Sequence, residues 1–376
     1  MTPNTTMASL DIENSTFPAN TVVTAGVVSV FEGNEKHITI ISVLYIIIAI
    51  IGMLGNIFVF VAVALSKKLH TFTNVFVVNL SVFDFLTCFG LPFQAVGITA
   101  TDEWPLPPAI CTIIAAMAIV TQSGSVITLA LIGVNRYVLI VRPKEVYSRI
   151  YTHCKVGVMI AGTWLFPILC LVVPQLIPGI GCLGYSKKFK VCLWDTKRNS
   201  AIVMQAMGAI AFIVSTVFII FSYSAIYHFI RKHIKKSYAT LQMNTTSVNR
   251  PGNGHHPGNI TQRGTAGINK RQIQITKNLG WVMAVFFACV LPYTCILLVP
   301  TKRVAGIYIA MLFLLPSAIN PILYAAKHPH FRVVFRCMVH CRYSAIPLPS
   351  AALKKILKQS PTRRRVSLSN YAVDGP

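Results

Sequence analysis

Asp84 is the one acidic residue that falls inside a long apolar stretch of this 376-residue sequence. An ionised carboxylate in hydrocarbon costs several kcal/mol unless it is paired, so by default such a residue marks a working site. Arg136, at the end of another apolar stretch, is its basic counterpart. A guanidinium stays charged and offers a rigid fork of donors, so near an apolar interior it needs acceptors in every state. No second carboxylate and no His-rich set lies at comparable depth, which argues against paired-acid proteolysis or metal-assisted hydrolysis inside a membrane. His255-His256 is an isolated pair in a Pro- and Gly-containing stretch and reads as loop, not as metal ligand.

The elements that position these residues follow from composition. The chain is 54% hydrophobic and 12% charged, with a mean hydropathy of +0.62, against roughly 25% charged in a soluble domain. A helix crossing the hydrocarbon needs about 20 apolar residues. Seven runs qualify, near 38–65, 74–99, 109–141, 153–178, 200–229, 273–299 and 304–326. The reading is an all-α membrane protein, a seven-helix bundle. Residues 1–37 form a segment before it, 38–326 the bundle, 327–341 an amphipathic surface helix and 342–376 a basic disordered tail.

Charge sets the orientation. The net charge of +24 comes from 34 Lys+Arg against 10 Asp+Glu. Of the basic residues, 26 lie with the odd-numbered gaps and the C-terminal tail, beside only Glu145 and Asp374; the other 8 share the opposite side with seven acids. Lys and Arg in excess mark the cytoplasmic face, so the N-terminus is expected outside and the C-terminus inside. The charge then answers to anionic inner-leaflet lipid and cytosolic partners, not to nucleic acid. Met1 to Lys36 has no basic segment followed by an apolar core, so the first span is expected to act as its own insertion signal.

Modification sites follow the same sides. Asn4 and Asn14 open glycosylation sequons on the outer segment, whereas the matches at Asn244 and Asn259 fall inside and should stay bare. Ser237 to Asn269 reads as a flexible inner loop. Three cysteines lie outside, Cys111, Cys182 and Cys192, which leaves one thiol over; Cys111–Cys192 is the expected pair, with Cys182 free or competing. Cys337 and Cys341 follow the amphipathic stretch Phe331-Arg332-Val333-Val334-Phe335-Arg336, as palmitoylation requires.

An ordered set of polar residues at fixed depths now identifies the chain as similar to the rhodopsin-like (class A) G-protein-coupled receptors. It comprises Gly55-Asn56, Asn79-Leu80-Ser81-Val82-Phe83-Asp84, Cys111, Asn135-Arg136-Tyr137, Pro143, Trp164, Pro292 and Asn320-Pro321-Ile322-Leu323-Tyr324. The likeness runs from about 38 to 341. An Asn135-Arg136-Tyr137 ending, where most relatives have Asp-Arg-Tyr, resembles the melatonin receptors and the invertebrate trapped-in-endoderm and moody receptors. The intact Asn320-Pro321 speaks against a melatonin receptor proper. Val290 stands where relatives carry Trp, Ser215 where they carry Pro and Pro316 where many carry Asn.

The resemblance implies roles. Asp84 would hold a sodium ion or a water cluster, with Asn56, Ser125, Ser317 and Asn320 around it; no other cofactor is implied. Arg136 would meet the G protein, joined in the active state by Tyr223 and Tyr324, while Tyr137, Pro292 and Pro321 complete the switch. With Asn135 before it and Gln272 facing it, no carboxylate clamps Arg136, and appreciable basal activity is expected. Ala118 occupies the position of the amine-binding Asp, and Leu314 that of the retinal Lys. Gln94, Thr121, Gln122, Gln205, Tyr293 and Thr294 would line a pocket for a neutral or lipid-like small molecule. Lys187, Lys188, Lys190, Lys197 and Arg198 form a charged rim at the mouth. Ser367 and Ser369, beside Arg363-Arg364-Arg365, would recruit arrestin once phosphorylated.

The function expected is that of a multi-pass plasma-membrane receptor, not an enzyme, that activates a heterotrimeric G protein when an extracellular ligand shifts the bundle. A receptor working chiefly through adhesion or polarity scaffolds, and a melatonin-type receptor, are the alternatives. A transporter would show internal repeats and polar gaps within spans, and neither is present.

Overall fold

The computed structural model describes residues 31, 35–101, 103–177, 181, 183–194, 199–248, 280–293 and 305–359. Helices α1 (Glu35–Leu65), α2 (Phe72–Thr99) and α3 (Pro108–Val141) are followed by the short α4 (Lys144–Ile150). Then come α5 (His153–Leu176) and α6 (Asn199–Val248). All but α4 are long and apolar enough to cross a bilayer, α6 over Ala206–His233. The described part of the sixth span is α7, Gly280–Tyr293. The seventh is a bent pair, α8 (Ala305–Leu314) and α9 (Pro316–Lys327).

Exposed apolar side chains show which face meets lipid. α1 leaves Ile47, Ile50, Ile51 and Leu54 each at least 45% exposed, a belt that water would not tolerate and hydrocarbon would. The opposite side of the bundle packs into a core in which Phe76, Leu80, Leu129, Ile132, Val290 and Tyr324 are buried. Close approach of α2 and α3 depends on Gly124, where a Cβ would collide with the Phe83 ring. That ring in turn stacks on Trp164 with centroids 4.3 Å apart.

Local sequence sets the ends and bends. Thr71 accepts from the Asn74 N–H at 3.3 Å to open α2, and Thr152 accepts from the Lys155 N–H at 3.4 Å to open α5. Pro316 cannot donate to the preceding turn, and the seventh span breaks there by 42°. In α5, Pro174 leaves a carbonyl without its N–H partner, and Ile168–Val172 widens into a π turn before it. Outside the bundle, β1 (Leu183–Ser186) and β2 (Val191–Trp194) form an antiparallel hairpin. The disulfide Cys111–Cys192 ties it to the top of α3.

Two expectations are corrected at the cytoplasmic end. The inner loop expected from Ser237 is helical to Val248, because α6 simply continues into the cytosol. The tail expected to be disordered from 342 is ordered to Gln359. After α10 (Pro329–Val339) the chain turns back and enters α11 (Ala351–Gln359). There Ser66 Oγ donates to the Pro347 carbonyl at 2.7 Å. The Lys67 N–H donates to Leu348 and the Ser350 N–H to Leu65, both at 2.9 Å. Ile346 and Leu353 are buried in the same core as Leu69. Backbone groups of the first intracellular loop thus supply the partners that a free tail would leave to water.

Candidate functional site

Asp84 lies in α2 with 1% of its surface exposed. Asn320, on α9, donates its Nδ2 to one carboxylate oxygen at 2.8 Å. Ser125 Oγ, on α3, donates to the other at 3.5 Å, and Ser317, also on α9, lies within electrostatic reach of the carboxylate. Asn56, on α1, donates to the Ser317 carbonyl at 3.0 Å and to the Gly52 carbonyl at 2.8 Å. Three spans therefore meet at one carboxylate, and α1 joins them through the Ser317 backbone. Asn320 presents its NH₂ to Asp84, so it acts there as a donor and not as a metal ligand. Asn56 Oδ1 and Ser81 Oγ are buried without a hydrogen-bond partner. Orphaned oxygens on the two spans that frame this network suit a small hard cation or water, so the chemistry of the residues fits a sodium site built on Asp84 and Ser125.

A second cluster closes the cytoplasmic end. Arg136 is 3% exposed, within electrostatic reach of Tyr223 and Tyr147. Tyr324 in turn lies within reach of both Tyr223 and Asp84. The hydroxyls of Tyr223 and Tyr324 are buried and make no hydrogen bond. Leaving a buried hydroxyl unpaired costs about 1–3 kcal/mol, a strain a switch residue can release in another state. Tyr137 packs outward against Phe221, centroids 5.5 Å apart. Pro292 sits near the end of α7 and Pro321 in α9.

Asn135 is engaged by residues of two other helices. Its Oδ1 accepts from Thr73 Oγ1 at 2.5 Å, and its Nδ2 donates to the Tyr147 hydroxyl at 3.5 Å. Tyr147 stacks on Tyr151 at 4.8 Å. The residue thus anchors α4 and α2 to the end of α3. Sequence reasoning missed Thr73 and Tyr147, since nothing in a Thr at a helix start or a Tyr in a basic loop announces a partner so far along the chain. Around Arg136 opens a cytoplasmic cavity of about 840 Å³. Lys68, His70, His153 and His328 line it, and no carboxylate is among its lining residues.

At the extracellular end the expected ligand-lining residues divide. Gln94 is not available: its amide donates to the Cys192 carbonyl at 3.0 Å and accepts from the Cys192 N–H at 2.7 Å. The side chain serves the hairpin because a buried strand edge needs both partners. Thr121, fully buried, accepts from Thr87 Oγ1 at 2.9 Å, and Gln122 donates to the same Thr87 oxygen at 3.5 Å. Tyr293 stacks on Phe313 at 4.6 Å. The rim lysines are also occupied. Lys187 pairs with Glu103 at 3.1 Å, Lys190 donates to the Ala100 carbonyl at 3.0 Å, and Lys188 lies over the Phe189 ring.

Cys337 is half-buried and Cys341 exposed at the end of α10. Asn4, Asn14, Cys182, Lys197, Arg198, Gln272, Thr294, Ser367 and Ser369 lie outside the described residues, as does the side chain of Gln205.

Comparisons with known proteins agree with this geometry. The family model described as 7 transmembrane receptor (rhodopsin family) matches residues 55–324. The G-protein coupled receptor moody of Drosophila melanogaster is 26% identical over 362 residues, covering 84% of this chain and 53% of its own. The chain therefore spans about half the length of the moody receptors. The 5-hydroxytryptamine receptor 1D of Cavia porcellus is 28% identical over 334 residues, 79% of this chain and 87% of its own. The crystal structure of squid rhodopsin matches with a TM-score of 0.65 at 20% identity, over 86% of this chain and 91% of that one. That last likeness is one of fold.

Proposed function

The chain belongs to the rhodopsin family of seven transmembrane receptors, and from that premise we propose that it activates a heterotrimeric G protein when an extracellular small molecule shifts its helix bundle. It is a multi-pass plasma-membrane protein, and its family consists of receptors, not enzymes. One observation carries the coupling: the hydroxyls of Tyr223 and Tyr324 are buried and unpartnered, Tyr223 within reach of Arg136 and Tyr324 within reach of Tyr223. Two orphaned donors and a forked cation form a set that a second bundle state can satisfy together, which is what a two-state element requires. The basic cavity around Arg136 suits an acidic or carboxylate-ended segment of a cytosolic partner.

The ligand is proposed to be neutral or lipid-like. Relatives named for 5-hydroxytryptamine and octopamine are similar over most of the chain, but Ala118 offers no carboxylate for an ammonium group. Gln122 and Tyr293, with Gln205 and Thr294, are the polar candidates; Gln94 and Thr121 act in packing the pocket wall. Sodium at Asp84 and Ser125 would supply a cation that favours the inactive bundle. Acylation of Cys337 and Cys341, and arrestin binding to phosphorylated Ser367 and Ser369, complete the reading.

The test is nucleotide release from a panel of Gα subunits in membranes carrying the chain, with Tyr223→Phe and Tyr324→Phe as variants. Each removes a hydroxyl without a partner, so thermal stability should hold or rise while release falls at least several-fold. Full release by both variants would overturn the assignment.

A further inference from the structure

α10 carries Arg332 and Arg336 four residues apart, hence on one face, and His340 caps the helix at the next four-residue step. Phe335 and Val339 form the adjoining row. The two rows border a groove of about 420 Å³ whose other walls are Gly55 and Phe58 of α1 and Ile322 and Ala325 of α9. The groove owes its depth to Gly55, where a Cβ would come within 2.9 Å of Pro321. Phe58, Ile322 and Val339 are 36%, 53% and 66% exposed.

Depth says what covers this surface. Phe58 lies seven residues from the end of α1 at Leu65, hence about 10 Å inside the cytoplasmic boundary. Water and soluble proteins do not reach that level from the side, and acyl chains do. The upper part of the groove is apolar and the lower rim cationic. Arg332 and Arg336 are exposed, and the one ion pair among the described residues is Lys187–Glu103, at the opposite end of the molecule. Only Glu145 and Asp374 supply carboxylates on the whole cytoplasmic side. An occupant must therefore bring its own anion at the membrane surface and hydrocarbon above it.

We propose that this groove binds one anionic glycerophospholipid of the inner leaflet, its acyl chain between Phe58 and Ile322 and its phosphate between Arg332 and Arg336. The forked guanidinium groups match phosphate oxygens in two-point contact. His340 Nδ1 donates to the Arg336 carbonyl at 2.9 Å, which seats its ring at the rim and leaves the phosphate to the two guanidinium groups. This rests on the orientation of the bundle and not on the coupling to a G protein, so either can fail alone.

The experiment is native mass spectrometry of the full chain released from nanodiscs of phosphatidylcholine with phosphatidylserine or a phosphoinositide. Variants are Arg332→Gln/Arg336→Gln, Val339→Trp at the exposed groove rim, and Lys354→Gln/Lys355→Gln as an equal loss of charge elsewhere on the same side. Wild type should retain one anionic lipid. Retention should weaken about thirty-fold in the arginine pair, the weight of two cations near an anionic surface. It should fall in Val339→Trp and persist in the lysine pair. Equal retention by the arginine pair, an equal loss in the lysine pair, or retention of phosphatidylcholine as strong as that of the anionic lipid would each overturn the site.

Discussion

Gln94 holds the backbone of Cys192 with both ends of its amide, donating at 3.0 Å and accepting at 2.7 Å. One side chain on α2 thereby fixes the strand that the disulfide fixes from α3. The hairpin across the mouth is held from two helices, covalently by one and by hydrogen bonds from the other. Gln94→Ala would leave a buried N–H and carbonyl unpaired at a cost of about 1–3 kcal/mol. A lower thermal midpoint and faster hydrogen exchange at Val191–Leu193 are expected. Gln122→Ala, which removes only a 3.5 Å contact, should leave both unchanged.

Asn135→Asp tests the neutral ending of α3. A carboxylate there would accept from both Thr73 and Tyr147 and add a charge beside Arg136, and charged bonds are about twice as strong as neutral ones. Ligand-free nucleotide release should fall several-fold. Release at the wild-type level would mean that the neutral side chain is not what sets basal activity.

How much of this was legible in the sequence depends on what each residue competes with. The spans were readable because a run such as Ile38 to Leu65 has no alternative solvent-facing arrangement, and Asp84 stood out for lack of neighbours of its kind. Gln94 was misread because a polar side chain in an apolar span looks the same whether it faces a ligand or a strand edge. The return of residues 343–353 onto Ser66 was illegible: Tyr343-Ser344-Ala345-Ile346-Pro347-Leu348-Pro349 has loop composition, and its partners are backbone groups that any sequence provides. The extension of α6 to Val248 was hidden by its Thr, Asn and Ser residues, weak helix formers that a long preceding helix overrides.

Asp84→Asn should abolish sodium sensitivity. The carboxylate gathers Asn320, Ser125 and Ser317, and an amide would keep part of that network while losing the charge a cation needs. Basal release by wild type should fall when sodium replaces a bulky organic cation at constant ionic strength, and Asp84→Asn should give the same rate in both. A wild type indifferent to the exchange would remove the ion from the account.

His328 predicts a pH dependence. It caps α10, accepting from the Phe331 N–H at 3.4 Å, and is 4% exposed. Burial first, then Arg136 and His330, hold its imidazole down to about 3. The unfolded chain takes up a proton below the usual value near 6.5 that the folded chain refuses, so stability falls as pH drops from there toward 3 and is unaffected above it. At pH 5 this amounts to about 2 kcal/mol. His328→Asn keeps a capping oxygen and should flatten that slope, read as thermal midpoint against pH in detergent or nanodiscs.

The central claim is that Arg136 transmits the state of the bundle to a G protein. The most direct measurement is ligand-free nucleotide release from each Gα class in membranes carrying equal amounts of wild type or Arg136→Ala, with surface expression checked for both. Release by the wild type on at least one class, lost in Arg136→Ala, is the predicted result. Silence on every class, or release that survives Arg136→Ala, would contradict it.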